Sequence, residues 1–209
     1  TAIIHGATRL SYEMFWAHSV RLASALERID IKPGDAISAL MSNTPAMLIC
    51  HHGVPMCGGI LHAINTRLDA DAIALQLNHA VSKVLIVDRE FSEVAQQAVA
   101  KTSCSPFIID YDDPDYHDDA PKTKGPLIGT TEWEAFLETG DPNFEWRRPP
   151  DEWNAITLNY TSGTTGVPKG GVYHHRACAL MAYNNTIHAD MSQHSVYLWS
   201  LPMFHCNGW

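Results

Sequence analysis

The amino-acid sequence predicts an α/β fold in which a parallel sheet is flanked by helices. Segments with the pattern of buried strands alternate with segments of helical periodicity along most of the 209 residues, and this alternation is typical of parallel sheets. Hydrophobic residues make up 45% of the chain and charged residues 18%, a balance that argues against a disordered or fibrous protein. A chain of this length can bury roughly 70% of its unfolded surface, so its core needs no crosslinks.

The predicted elements follow one another in a regular order. Segments with the pattern of strands cover residues 36–40, 60–64, 84–87, 107–109 and 155–159, and residues 84–87 are fully apolar. Ser11 is a typical cap for the first helix, whose apolar residues recur three, four or seven positions apart. Thr44, followed by Pro45, predicts the start of the second helix, and Asp69 or Asp71 predicts the start of the third. The other two expected helices cover residues 92–100 and 133–137.

Charge and hydropathy argue against two classes of partner. Fourteen Lys and Arg against 23 Asp and Glu give a net charge of −9, whereas nucleic acids and anionic membranes are bound by basic surfaces. The sequence has no run of about 18 apolar residues. We therefore expect no nucleic-acid partner and no integral membrane association. An anionic ligand in a local pocket is compatible with the same composition.

Cysteine and histidine residues offer two weak metal-site patterns. The five cysteines are scattered, at positions 50, 57, 104, 178 and 206, and no pair has the CxxC spacing, so free thiols in a reducing, cytoplasmic environment are predicted. Zinc would need four convergent ligands, and core packing is the prediction for Cys50-His51-His52 with Cys57. His174-His175 could form half a metal site, but adjacent side chains project apart, which favours packing at the start of a helix.

An acidic run interrupts the alternation of strands and helices. Six aspartates lie between Asp110 and Asp119, and a calcium loop is one interpretation because hard cations prefer clustered carboxylates. The EF-hand pattern needs Gly at its sixth position and Glu at its twelfth. Counted from Asp110, these positions hold Asp115 and Pro121. The run is therefore predicted to be a solvated surface loop that binds no structural calcium.

The main chemical motif follows the last predicted strand. The segment 160–170 reads Tyr-Thr-Ser-Gly-Thr-Thr-Gly-Val-Pro-Lys-Gly. Glycines let a backbone approach a phosphate chain closely, and hydroxyl and N–H groups can bind its oxygens. Lys169 adds a positive charge that can follow phosphate oxygens. The plain alternative is a polar turn, since Gly/Ser/Thr loops are common.

A Walker A loop is excluded by spacing. Counted from Gly163, the GxxxxGK[ST] pattern requires Gly at position 168 and Ser or Thr at position 170. This chain has Pro168 and Gly170 instead, and proline cannot donate a backbone hydrogen bond to phosphate. The loop is therefore predicted to bind phosphate in another way.

The segment 160–170 resembles the phosphate-binding loop of the AMP-forming adenylating enzymes. Leu201 to Trp209, which reads Leu-Pro-Met-Phe-His-Cys-Asn-Gly-Trp, resembles the next motif of that superfamily, and Asn65-Thr66-Arg67-Leu68 resembles its acyl-CoA synthetase branch. Tyr173-His174-His175-Arg176 and the Asn-Gly-Trp ending are most similar to the subgroup that acts on medium-chain, aryl and 3-methylmercaptopropionate acids. The similarity covers nearly the whole chain but only the N-terminal part of such an enzyme.

This resemblance implies a reaction and a set of binding residues. A carboxylic acid would react with ATP to give acyl-AMP and pyrophosphate, and the acyl group would pass to CoA. The loop would hold the β and γ phosphates through Thr161, Ser162, Gly163, Thr164, Thr165, Gly166, Val167, Pro168 and Lys169. Thr161 is the first choice for the hydroxyl that contacts Mg²⁺, and Thr164 the second. Lys169 would stabilise the departing pyrophosphate.

The resemblance also implies an acyl site at the second motif. His205 would lie at the junction of the ATP and acyl sites and act in catalysis. The acid would be bound by His205, Asn207, Gly208 and Trp209, and Trp209 would line or gate the acyl tunnel. An isolated histidine is more often a core residue than a site residue. For His205, the surrounding motif of residues 201–209 favours a role in the site instead. Gly171 departs from the subgroup, where a β-branched residue is usual, and should reduce the rigidity of the strand that leaves the loop.

Several expectations concern the protein as a whole. By this resemblance, residues 1–209 are an incomplete N-terminal domain that binds ATP and acyl groups, without the C-terminal domain, and the isolated chain should be inactive. A cytoplasmic enzyme of fatty acid metabolism is expected, and a homodimer is compatible with the sequence. Two alternatives stay open: an adenylating enzyme that delivers the acyl group to a carrier protein or to oxygen, and a nucleotide-binding fragment without turnover. The sequence does not specify the acid.

Overall fold

A computed structural model describes residues 1–114, 124–146, 148–161 and 168–205. Its main feature is a seven-stranded sheet, and the strands in chain order are β3 (Ala36–Leu40), β4 (Ile60–Ala63), β5 (Val84–Asp88), β6 (Phe107–Tyr111), β7 (Thr131–Glu132), β8 (Ala155–Thr161) and β9 (Lys169–His174). Their spatial order is β7-β6-β5-β3-β4-β8-β9. All neighbours are parallel except β8 and β9. The predicted α/β class with a parallel sheet is confirmed.

Four of the six described α-helices begin where a capping side chain accepts a hydrogen bond from a free backbone N–H group. The six are α1 (Tyr12–Arg28), α2 (Pro45–Met56), α3 (Ala70–Ala80), α4 (Ser92–Val99), α5 (Trp133–Glu138) and α6 (His175–His188), and the four with such a cap are α1, α2, α3 and α6. Ser11, Thr44 and Asp69 accept hydrogen bonds from the N–H groups three residues onward, as capping requires. Asp69 is thus the cap of α3, and Asp71 instead pairs with Lys101.

Two apolar layers enclose the sheet. On one face, α1, α2 and α5 pack against alternate strand residues such as Ile37 and Leu61. On the other face, α3 and α4 pack against Leu40 and Ile64. Strand residues alternate between the two faces, and the central strands β3 and β5 are buried throughout. Burial on both faces explains why these strands are mostly apolar in sequence, with Ser38 in β3 and Asp88 at the end of β5 as the exceptions.

Three parts of the strand architecture were not predicted, and the first is the two-residue edge strand β7. A separate hairpin of β1 (Ile3–His5) and β2 (Thr8–Leu10) precedes α1. In the main sheet, β9 runs antiparallel to β8, so the sheet is mixed at this edge. The connection between them is only seven residues long, whereas a parallel partner would need a crossover of a dozen or more residues.

The prediction of a solvated acidic loop is wrong for the beginning of the run. Asp110 is buried and accepts hydrogen bonds from the N–H groups of Ile128 and Gly129, at 3.1 and 2.7 Å. Asp113 is also buried, and its carboxylate lies 2.9 Å from Nε2 of His5. These aspartates bind neighbouring loops, a role that spacing in the sequence does not reveal. Asp115 and Asp119 lie outside the described residues.

The cysteine and histidine patterns have structural roles where they are described. Cys50 is fully buried, and burial raises the pKa of its thiol. Cys57 is buried as well, and its Sγ donates to the carbonyl of Val54 at 3.1 Å. The core-packing prediction is therefore confirmed for these two cysteines. Within the described ranges, no group of three or more His, Cys, Asp or Glu residues could hold a metal ion. The cysteines at positions 50, 57, 104 and 178 are free, and Cys206 lies outside the described residues.

Helix α6 differs from the other helices in its surroundings. None of its residues is buried, and Ile187 is 79% exposed. The segment after it presents further apolar side chains, with Val196 at 90% and Leu198 at 86% exposure. Exposed apolar area of this extent is unusual on a monomeric soluble domain. Separately, no described helix is long and apolar enough to cross a lipid bilayer.

Candidate functional site

The candidate site lies at the carboxyl edge of the sheet. In parallel strands the carboxyl ends meet at one edge, where ligands of open α/β sheets bind. Strand β3 is followed there by Ser42 and Asn43, β4 by Asn65 and Thr66, and β8 ends at Thr161. Asn65 stabilises its own turn, because Oδ1 accepts a hydrogen bond from the N–H of Arg67 at 2.9 Å.

The two ends of the glycine-rich loop are held together by paired strands. Thr161, the last residue of β8, lies opposite Lys169, the first residue of β9, and Tyr160 lies opposite Gly170. Both Thr161 and Lys169 are exposed. Within the described ranges, Lys169 makes no ion pair. A hydroxyl and an ammonium group therefore stand together at the base of the loop.

The loop itself is described only at its two ends. Pro168 is half-buried beside Lys169. The predicted phosphate-binding residues between these ends lie outside the described residues, and they are Ser162, Gly163, Thr164, Thr165, Gly166 and Val167. The prediction that the loop follows the carboxyl end of a strand is confirmed by the position of Thr161. The contacts predicted for its members stay predictions.

Tyr160 anchors the base of this loop on the α3 face of the sheet. Its hydroxyl is hydrogen-bonded to Nδ1 of His79, at 2.7 Å. Its ring also lies against His62, with 5.1 Å between ring centroids. Partial burial raises the pKa of Tyr160, so its hydroxyl is protonated and can donate to His79. His79 was not among the residues predicted for the site, although its place in the last turn of a helix that precedes a strand is visible in the sequence.

A buried polar chain lies directly beneath Tyr160. Burial lowers the pKa of His62 to about 4, so this imidazole is neutral near pH 7. Its Nε2 lies 3.3 Å from the carbonyl oxygen of Gln76 and therefore donates, which leaves Nδ1 to accept from the hydroxyl of Ser38 at 2.8 Å. Ser82 then donates to Ser38 at 2.6 Å. Every member thus has a partner, as a buried polar network requires.

The second motif reaches the same edge through Asn43. The Asn43 side chain bonds to the backbone of Leu201 and Met203, and Met203 is buried in the core. His205 is exposed, and its N–H donates to the carbonyl of Pro202 at 3.0 Å. The other predicted acyl-site residues, Asn207, Gly208 and Trp209, lie outside the described residues.

Thr161 and the second motif share a face of the sheet. Alternation along β8 puts Thr161 on the same side as Thr157. Thr157 pairs with Leu61, whose side chain belongs to the core of α1 and α2. Met203 packs in that same core. The structure therefore brings the start of the loop and the segment before His205 to one edge and one face.

The motif at positions 173–176 lies at the other end of the hairpin. His174 caps α6, since its Nδ1 accepts from the N–H of Ala177 at 3.0 Å, and its ring stacks on Trp153, with centroids 4.5 Å apart. Arg176 pairs with Glu152. The predicted helix-start role is confirmed for His174. These residues fasten the hairpin and α6 to the segment before β8 and are remote from the loop.

Comparison with known proteins identifies the family of this fold and site. Residues 1–209 match the model of the AMP-binding enzyme family, and the chain belongs to that family. It is 43% identical, over 217 aligned positions, to a peroxisomal acetate/butyrate–CoA ligase of Arabidopsis thaliana, and 39% identical, over 218, to a peroxisomal trans-cinnamate:CoA ligase of Petunia hybrida. Each alignment covers 100% of this chain, and the chain spans 38% of the length of each relative.

A solved structure supports the fold independently. The chain superposes on a crystal structure described as a putative long-chain-fatty-acid CoA ligase from Rhodopseudomonas palustris, with a TM-score of 0.77. The match covers 96% of this chain and 47% of the other, at 20% identity. At that identity the likeness establishes the fold alone.

Proposed function

We propose that this chain is the ATP- and acid-binding part of an acid–thiol ligase. The whole enzyme converts a carboxylic acid and ATP to acyl-AMP and pyrophosphate and then transfers the acyl group to CoA. The observation that carries this proposal is the hairpin that closes the glycine-rich loop, in which Thr161 and Lys169 stand opposite each other at the carboxyl edge. The CoA ligase names of the relatives support the same reaction.

The residues present fit a nucleotide with its magnesium ion. Mg²⁺ prefers oxygen ligands and usually binds through one or two protein groups plus substrate phosphates. Thr161 offers one exposed hydroxyl beside the loop, and we assign it as the Mg²⁺ contact, with Thr164 as the second choice. The ion supplies neutralisation of phosphate charge when bound.

The chain's own part in adenylation is positioning and charge stabilisation. Lys169 can approach the phosphate oxygens, and we assign the backbone N–H groups of the loop to the stabilisation of the negative charge that develops on pyrophosphate. Pro168 contributes no N–H. The substrate carboxylate is already ionised near pH 7 and is itself the nucleophile, so no general base is required. Lys169 and His205 are the proposed catalytic residues.

The acid is proposed to lie beside the second motif. His205, Asn207, Gly208 and Trp209 are its proposed contacts. The names of the relatives specify acetate, butyrate and trans-cinnamate for those proteins, which extends the candidate acids beyond the medium-chain and 3-methylmercaptopropionate subgroup. We propose a small carboxylic acid and treat these compounds as the panel to be tested.

Trp209 is proposed to limit the size of that acid. If His205 and Trp209 lie four residues apart at the start of a helix, they share a face. A Trp209→Ala variant of the whole enzyme should change the ranking of short against longer acids by about tenfold in relative kcat/KM, with less effect on the KM for ATP. Assays with acids of increasing length test this. A uniform loss with the ranking preserved would assign Trp209 to packing.

Domain organisation, assembly and compartment are further parts of the proposal. We infer that residues 1–209 are an incomplete N-terminal domain, and the exposed apolar side chains of α6 support this. Homodimer formation is proposed from the sequence alone. The free thiols support a reducing compartment such as the cytoplasm, while the two named relatives are peroxisomal. A fluorescent fusion of the whole protein distinguishes the two compartments.

Product analysis tests the proposed reaction. The whole protein should be incubated with ATP, Mg²⁺, CoA and each acid of the panel. We expect equal amounts of AMP and acyl-CoA, formed only when the acid is present. Acid-dependent release of pyrophosphate with accumulation of acyl-AMP and no acyl-CoA would indicate that the enzyme uses another acyl acceptor, such as a carrier protein or oxygen. Nucleotide binding without any turnover would indicate a non-catalytic protein.

A further inference from the structure

Asn43 holds the segment before His205 by both ends of its side-chain amide. Its Oδ1 accepts a hydrogen bond from the N–H of Met203, and its Nδ2 donates to the carbonyl of Leu201, each at 2.7 Å. The two backbone groups flank Pro202, which has no N–H of its own. A single side chain therefore fixes the backbone on both sides of the proline, as a neighbouring strand would.

The anchor for this contact is rigid. Asn43 comes three residues after the end of β3 and directly before Thr44, the cap of α2. Thr44 is 3% exposed, and its hydroxyl accepts from the N–H of Met47 at 3.2 Å. The backbone of Asn43 is thus fixed between a central strand and a capped helix. Its side-chain amide therefore holds the backbone of Leu201 and Met203 in a fixed position.

The contact bears directly on His205. A turn that starts at Pro202 ends at His205, whose N–H donates to the Pro202 carbonyl. The two hydrogen bonds from the Asn43 amide to the backbone of Leu201 and Met203 form what we call the clamp. The clamp therefore determines the position of this turn at the carboxyl edge. We propose that Asn43 is a positioning residue for the acid site, holding the segment 201–205 so that His205 meets the junction of acid and nucleotide. This inference rests on the proposed function.

Only an amide satisfies both backbone groups at once. Aspartate has nearly the same shape as asparagine, but an ionised carboxylate only accepts hydrogen bonds. Asn43→Asp would keep the bond from the N–H of Met203 and place negative charge against the Leu201 carbonyl. Asn43→Ala would remove both bonds. The two variants separate loss of the side chain from loss of the donor alone.

Asn78 provides a matched control. Its Oδ1 accepts from the N–H of Ser103 at 2.8 Å and from that of Cys104 at 3.4 Å, so it also fixes a backbone segment from a distance. That segment leads into the start of β6 and is remote from the second motif. Asn78→Ala should lower stability by a similar mechanism without changing the acid site.

The test combines hydrogen exchange with kinetics on the whole protein. In Asn43→Ala and Asn43→Asp, backbone amides of residues 199–205 should exchange about tenfold faster or more, because the clamp no longer holds them. The kcat/KM for the acid should fall about ten- to a hundredfold, as expected when a reacting group is displaced by about 1 Å. The KM for ATP should change less than about twofold. Asn78→Ala should show neither effect.

Each outcome decides a specific claim. Unchanged exchange in both Asn43 variants would overturn the clamp, and faster exchange with unaltered acid kinetics would overturn its positioning role. Equal losses in Asn43→Ala and Asn78→Ala would also overturn that role. If the wild-type protein forms no acyl-AMP, the proposed function fails, and the positioning role fails with it. The exchange data, which need no substrate, would then still report on the clamp itself.

Discussion

Gly170 shows how one residue serves the loop and the packing beneath it. A Cβ placed there would lie 3.0 Å from Cδ1 of Leu158, 3.7 Å from Cε1 of Tyr160 and 3.8 Å from Cε1 of His79. A side chain at this position would therefore press on Leu158, and its Cβ would lie at ordinary contact distance from the Tyr160 and His79 rings. Sequence analysis assigned the loop glycines to close phosphate approach, and the structure adds a packing reason for Gly170.

Lys169→Ala in the whole enzyme should slow acyl-AMP formation by about a hundredfold, the loss typical of removing one donor that stabilises transition-state charge. Lys169 is exposed beside Thr161 and, within the described residues, carries no ion pair that would divert its charge. Single-turnover formation of acyl-AMP measures this step. Lys83→Ala, an exposed lysine before β5, is the control and should retain the rate. A normal rate for Lys169→Ala would remove it from the chemistry.

His62 should make the folded state sensitive to acid. Its folded pKa of about 4 lies below the ordinary value near 6.5, so the unfolded chain takes up a proton first as the pH falls. Stability from His62 is therefore full above pH 6.5 and falls by about 1.4 kcal/mol per pH unit down to pH 4. Asp88 has the opposite effect on stability. Burial raises its pKa to about 6, so the folded state takes up this proton first as the pH falls and gains stability from it.

A variant pair isolates the contribution of His62. The difference in unfolding free energy between the wild type and His62→Asn should change by roughly 3 kcal/mol between pH 7 and pH 4. The change comes from the wild type, because only the wild type loses the contribution of His62. Denaturant titrations at several pH values measure the difference. His188→Asn, at the exposed end of α6, is the control. A constant difference across this range would show that His62 is protonated equally in both states.

At the scale of elements, β9 is the strand whose sequence fits its structure least well. Gly170 and Gly171 are adjacent in it, and glycine in a strand loses more backbone freedom on folding than other residues. A Cβ on Gly171 would meet only the carbonyl oxygen of Asn159, at an ordinary 3.6 Å. Gly171 is therefore open to substitution in a way that Gly170 is not.

Gly171→Val should stabilise the chain by about 0.5–1 kcal/mol, because valine restricts the unfolded state and suits an extended strand. Thermal or chemical unfolding measures this change. Gly170→Val is the matched variant and should destabilise the protein through its contact with Leu158. If Gly171→Val also destabilises, a neighbour must occupy the space that is open at this position.

The predictability of each element depended on how local its signals are. Ser11, Thr44 and Asp69 cap helices through bonds three residues away. The sequence alone therefore predicted where α1 and α2 begin and left Asp69 or Asp71 as the cap of α3. Asp110 and Asn43 act on backbone 18 to 160 residues away, and no spacing rule reports such contacts. The direction of β9 depended on the length of the loop, which the sequence analysis did not use.

At the scale of the whole molecule, a seven-stranded sheet brings distant segments to one edge, the carboxyl edge of its parallel strands. The residues that follow β3 and β4 lie there beside Thr161, the last residue of β8, because the three strands are parallel. Asn43 binds the segment before His205 at the same edge. The position of the glycine-rich loop at the end of a strand was predictable because the members of the motif are contiguous in sequence. The placement of Asn43, Thr161 and the second motif at one edge could not be predicted, because it depends on the order of the strands in the sheet.

The central claim is that this edge activates a carboxylic acid by adenylation. Acid-dependent exchange of labelled pyrophosphate into ATP, measured on the whole protein with Mg²⁺ and without CoA, tests it most directly. The account predicts exchange that requires one of the small acids and falls about a hundredfold in Lys169→Ala. Acid-independent ATP cleavage to ADP and phosphate, or no exchange with any acid that the protein binds, would contradict it.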